Sequence, residues 1–136
     1  MSKFRFCKIS VEEWKDLKPD ELLGMDVNNA DCWVVQNTVG KNVGLLCLAD
    51  FYENAFGNWK EADFRLLSDV NNRPSREGIS VLISCIRFTL QYLKEENKIG
   101  LIVGTKVKSL DKLFKKIFIP LGTDKFDRNM YCFRVN

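Results

Sequence analysis

Val70–Ser80 reads VNNRPSREGIS and runs directly into ISVLISCIRFTLQYL, Ile79–Leu93. The second stretch repeats apolar residues at Ile79, Leu82, Ile83, Ile86, Leu90 and Leu93, the spacing of one helix face. The first offers one Pro, one Gly, two Ser and two Arg, with hardly an apolar side chain. A helix entered through such a loop has two readings. In one, Ser75 caps the helix and Gly78 relieves a crowded crossing. In the other, the first-turn amides, which have no partner inside the helix, receive an anion at the positive end of the dipole. These residues taken alone leave both readings open.

Upstream, CWVVQNTVG and NVGLLCLADFY are apolar and rich in β-branched residues, with Gly and Asn between them. They predict a hairpin. YENAFGN predicts a second turn and WKEADFRLLSDV a third strand, so an antiparallel meander precedes the loop. At the start of the chain KFRFCKI alternates like a strand. In SVEEW, Ser10 and Glu13 stand at capping-box spacing, with Trp14 and Leu17 on the inner side of a short helix. Pro19 interrupts that helix, and DELLGM predicts another short turn ending at Gly24.

Downstream, Asn97 and Gly100 end the long helix. LIVGT is a short apolar strand of the kind buried on both faces. Ser109 is placed to cap a last helix whose apolar face is Leu110, Leu113, Phe114, Ile117 and Phe118, with Pro120 as its stop. MYCFRV closes the chain as a strand. The predicted order is β-α-α-β-β-β-α-β-α-β, an α+β mixed sheet of six to seven strands in one domain over residues 1–136.

Composition narrows the chemistry. With no His among 136 residues, His-dependent triads and His-ligated zinc are excluded. The five Cys are scattered without metal-like spacing and read as free structural thiols, so no metal site is expected. The formal charge of +3 permits an anionic ligand without calling for nucleic acid. Acidic Asp50, Glu53 and Glu61 around Phe51, Trp33 and Trp59 argue against a nucleic-acid stacking surface. No apolar run approaches 18 residues and MSKFRFCKIS lacks a signal-peptide pattern, so no membrane partner is expected. The expected setting is cytoplasmic, or within a virion for a phage-encoded chain.

The order of elements, with the loop between meander and long helix, resembles the GNAT superfamily of acyl-CoA-dependent N-acetyltransferases. Val70, Gly78 and Ser80 fall at the first, ninth and eleventh places of that family's loop. Ser75 stands where a basic residue is usual, with Arg76 one place later. LFKKIF resembles the family's run near the last helix, with Phe114 at its Tyr position and Val107 where Asn is common. The short chain is similar to small GNAT-like proteins of tailed phages, some of them packaged in the virion.

The resemblance implies acetyl-CoA as co-substrate, with its pyrophosphate on the amides of Arg76, Glu77, Gly78, Ile79 and Ser80. Val70 and Ser75 belong to the same loop, and Arg73 adds to its field. A backbone amide between Leu67 and Val70 would meet the oxyanion. The acceptor is an amine, and Glu61 or Asp63, sharing one strand face, would serve as base. A solvated strand face is the other reading of those two. Tyr131, or Ser109, would replace the missing Tyr as acid. Lys106, Lys108, Lys112, Lys115 and Lys116 read as a solvated helix face or as partners of the 3′-phosphate. The implied function is an acetyl-CoA-dependent N-acetyltransferase, monomer or homodimer. The alternative is a non-catalytic GNAT-like binding or structural protein acting on a partner protein.

Overall fold

The computed structural model describes residues 4–17, 30–50, 59–67 and 76–135. Its elements run β1 (Arg5–Ile9), α1 (Val11–Leu17), β2 (Asp31–Gln36), β3 (Asn42–Asp50), β4 (Trp59–Leu66), α2 (Arg76–Glu95), β5 (Gly100–Thr105), α3 (Lys108–Ile117), β6 (Ile119–Thr123) and β7 (Asn129–Arg134). The strands form one mixed sheet in the order β1-β2-β3-β4-β5-β7-β6. Among the described residues only β4 and β5 pair in parallel. The α+β class and the meander are as expected. DELLGM, YENAFGN and the loop through Ser75 lie outside the described residues.

Several elements are set by local chemistry. The Glu13 amide donates to Ser10 Oγ at 3.1 Å and the Ser10 amide donates to Glu13 Oε1 at 3.4 Å, completing the capping box. In the β2–β3 turn, Asn37 Oδ1 accepts from the amides of Val39 and Lys41. Gly40 there has φ +80°, a conformation glycine enters without a Cβ penalty. Asn97, at φ 56°, ends α2, and the Lys98 amide returns to the Leu93 carbonyl at 2.9 Å.

Packing then overrides parts of the pattern. The buried residues of α2 are Gly78, Val81, Leu82, Cys85, Ile86, Thr89 and Leu93, while Ile79 is exposed. Leu82, Ile86 and Leu93 are thus buried as expected, and the smaller Val81, Cys85 and Thr89 join them against the sheet. Close approach is the reason: a Cβ on Gly44 of β3 would stand 2.8 Å from Val81 Cγ1. Thr89 is tolerated in this apolar contact because its hydroxyl donates to the Cys85 carbonyl at 2.7 Å.

Two further expectations are corrected. Ser109 does not cap α3: the N-cap is Val107, without a side-chain bond, and the Thr105 hydroxyl accepts the Val107 amide at 2.9 Å. Pro120 does more than stop α3. It sits inside β6, an edge strand, where its missing N–H removes no ladder bond between two neighbours.

Side chains alternate across the sheet. Trp33, Val35, Leu46, Leu48, Phe64, Leu101, Val103 and Tyr131 join α2 and α3 in the larger core. Trp14 of α1 packs on the other face with Cys32, Val34, Leu45 and Cys47. All five cysteines are free thiols.

Candidate active site

The ladder between β4 and β5 is short. Trp59 pairs with Gly100, Lys60 with Leu101, Glu61 with Ile102 and Ala62 with Val103, and there it stops. Beyond that point Asp63–Leu66 pair with β3, while Gly104 and Thr105 pair with β7 on their far side. The sheet thus divides at the carboxyl ends of its two parallel strands. Strand edges inside a division present backbone donors and acceptors to whatever enters it. Ligands of open sheets with parallel strands settle at such carboxyl ends.

Beside the division lies a buried charge network. Register puts Ala49 opposite Glu61, Cys47 opposite Asp63 and Leu45 opposite Arg65, so all three polar side chains project on the α1 face. Glu61 is only 1% exposed, which overturns the solvated-face reading for this residue. Its Oε1 takes Arg128 Nη2 at 3.2 Å, and its Oε2 is buried without a hydrogen-bond partner. Arg128 Nη2 also meets Asp124 Oδ2 at 2.7 Å. Burial raises the Glu61 carboxyl to about 7, with Arg128 pulling against it and Asp63 and Asp124 adding to it. Burial opposes Asp124 as well, yet bonds from Arg128 and the Phe126 amide hold that carboxyl below its usual range.

Asp63 is half-buried and bound to Arg65 Nε at 2.6 Å. Of the two carboxylates expected as base, Glu61 combines a raised proton affinity with an oxygen that has no hydrogen-bond partner. Tyr131 is on the opposite face of the sheet, and its hydroxyl donates to Asp111 in the first turn of α3. That bond, followed by burial, pushes the phenol up to about 12. Phe114 is buried against Phe64, Phe118 and Tyr131. The structure brings Glu61 and Asp63 together and separates Tyr131 from them.

The anion-binding expectations divide likewise. Val70, Arg73 and Ser75 lie outside the described residues. Leu67 follows β4, and its amide donates to the Val43 carbonyl at 3.0 Å. That amide is therefore committed to β3 and does not point into the division, contrary to one expectation for the oxyanion. Arg76, Glu77, Gly78, Ile79 and Ser80 form the first turn and a half of α2. The side chains of Arg76, Glu77 and Ser80 line a cleft of about 220 Å³ with Phe4, Asn37 and Thr38. That cleft is on the β1 flank, away from β5.

Sequence reasoning missed Arg128 and Asp124. Their partner Glu61 is 67 residues from Arg128, so no spacing rule connects them. The signal available was weak: Asp124 and Arg128 bracket a short run between two extended stretches. It also missed the division of the sheet, which is a loss of pairing and leaves no residue pattern.

No protein-family model and no curated protein sequence matches the chain. Solved structures do. A chimera of the spermidine N-acetyltransferase SpeG from Vibrio cholerae and hSSAT superimposes with a TM-score of 0.70 at 13% identity, covering 98% of this chain and 96% of that one. A dodecameric spermidine N-acetyltransferase from Vibrio cholerae gives 0.67 at 12% identity over 98% and 94%. A GNAT-family acetyltransferase from Staphylococcus aureus Mu50 gives 0.57 at 18% identity over 79% and 69%. The chain thus has the fold of GNAT-family acetyltransferases.

Proposed function

We propose that this chain is an N-acetyltransferase that moves an acetyl group from acetyl-CoA to an amine, with Glu61 as the base. One observation carries the reading: a buried carboxyl, brought to about 7 and with one oxygen unsatisfied, stands beside the division between β4 and β5. Acetyl-CoA supplies the thioester. Amides of Asp63–Leu66 on the β5 side hold the pantetheine arm, and the backbone at the start of α2 holds the pyrophosphate. Glu61 removes a proton from the acceptor ammonium. The neutral amine attacks the thioester carbonyl, the C–S bond breaks, the nitrogen gives up its second proton to solvent as the amide forms, and the thiolate leaves to take a proton from solvent. Spermidine is the first acceptor to test, because the structural neighbours include spermidine N-acetyltransferases. The setting is cytoplasmic and the chain is a monomer or homodimer.

A second reading is a binding or structural protein of the same fold, within a virion if phage-encoded. One observation favours it. Phe114 has no hydroxyl and that of Tyr131 is committed to Asp111, so neither of these two positions offers an acid to a leaving thiolate. Calorimetric titration with acetyl-CoA, followed by thiol release with spermidine and a panel of amines, decides between them. Binding with release is expected. Binding without release favours the second reading, and no binding at millimolar acetyl-CoA overturns the first.

A further inference from the structure

The turn joining β6 and β7 is organised around one carboxylate. Asp124 Oδ1 accepts the amides of Phe126 at 3.0 Å and Arg128 at 2.9 Å. The backbone closes the same turn, with the Asp124 amide on the Arg128 carbonyl and the Asp127 amide on the Asp124 carbonyl. Asp127 takes the left-handed conformation, φ 61°, that this closure requires. Asp124 Oδ2 then receives Nε of Arg128 at 2.8 Å and Nη2 at 2.7 Å, a two-point grip on one edge of a planar guanidinium. The Phe126 ring lies 5.7 Å from the same group. The direction of Arg128 is thus fixed within its own turn, before Glu61 is met.

We propose that Arg128 is a positioning residue for Glu61: anchored by Asp124, it pins Oε1 and leaves Oε2 as the oxygen that meets the acceptor ammonium. The inference rests on the acyl-transfer reading above. A purely structural ion pair buried to this depth would have both carboxylate oxygens satisfied, because an unpaired one is costly. Here Oε1 is bound and Oε2 is not. Asp124 and Arg128 face Glu61 from the turn, and Asp63 faces it from β4. Its cross-strand neighbours are Ala49 on β3 and Ile102 on β5, neither charged. One cation among two anions holds the carboxylate in place without cancelling its affinity for a proton. The proton taken from the ammonium arrives at Oε2 and leaves to solvent after transfer.

The test is a carbon-detected carboxyl titration of the free protein, with the Glu61 resonance assigned through Glu61→Gln. A wild-type midpoint near 7 is expected. Arg128→Gln is expected to raise it by a unit or more, and Arg128→Lys, which keeps the charge and is the safer variant for folding, by less. In thiol release with acetyl-CoA and spermidine, Arg128→Lys is expected to lower kcat about tenfold and to shift the acidic limb of the pH profile to higher pH, with acetyl-CoA affinity unchanged by calorimetry. A midpoint unmoved in both variants overturns the proposal. So does a parallel loss of acetyl-CoA binding, which would make Arg128 a cofactor ligand. A wild-type chain that binds no acetyl-CoA removes the acyl-transfer reading, and the titration still decides whether Arg128 holds Glu61.

Discussion

Glu61 and Tyr131 are both buried on central strands, each with its polar end on a charged partner, and they lie on opposite faces of the sheet. At Glu61 the two main influences oppose each other: burial raises the carboxyl, Arg128 lowers it, and it rests at about 7. At Tyr131 they agree: the bond to Asp111 and burial both push upward, to about 12. Opposed influences leave a group that changes charge near neutrality. Aligned influences lock it in one state. The α1 face is therefore where a proton can move, and the α2–α3 face is where side chains stay fixed.

The largest effect is expected from Glu61→Gln. Turnover measured by thiol release should fall a hundredfold or more. Stability gives an independent check. Glu61 binds its proton more tightly in the folded state, so its contribution is complete below its ordinary value of 4.5 and is lost as pH rises through about 7. Urea unfolding of the wild type should show about 3 kcal/mol of loss across this window, and Glu61→Gln should flatten it. An unchanged slope breaks the contrast. Tyr131→Phe should lower turnover well under tenfold at pH 7 to 8, with a modest fall in thermal midpoint from losing the bond to Asp111. A hundredfold loss would place the acid on the face assigned here to packing. The smallest effect is expected from Arg76→Ala, whose side chain lies in the β1-flank cleft. Acetyl-CoA affinity by calorimetry should change by less than about fivefold. A larger change would turn that side chain toward the division.

How much of this was readable beforehand follows from distance along the chain. The capping box at Ser10 and Glu13 and the turn at Asn37 and Gly40 involve residues a few places apart, and composition alone predicts them. The face of α2 was read in part: Leu82, Ile86 and Leu93 are buried as expected, whereas Ile79 is exposed and the smaller Val81, which approaches Gly44 closely, Cys85 and Thr89 share the contact with the sheet. β6 was hidden by Pro120, which reads as a break unless the strand is known to be an edge. Glu61 and Asp63 were reached through the family resemblance, which expects a carboxylate on this strand, and alternation along β4 put them on one face. The partners that distinguish them, Arg128 for one and Arg65 for the other, needed the fold.

The four-residue parallel ladder between β4 and β5 also bears on how the chain assembles. β1–β4 and β5–β7 are each joined by antiparallel pairings, and the short ladder is what stitches them edge to edge. Its partners, such as Ala62 and Val103, are separated by the whole of α2, so loop closure must precede any gain from that seam. Contacts of this kind set the pace of folding more than they set stability. The opening that can admit a ligand is thus continuous with the joint that the chain closes late.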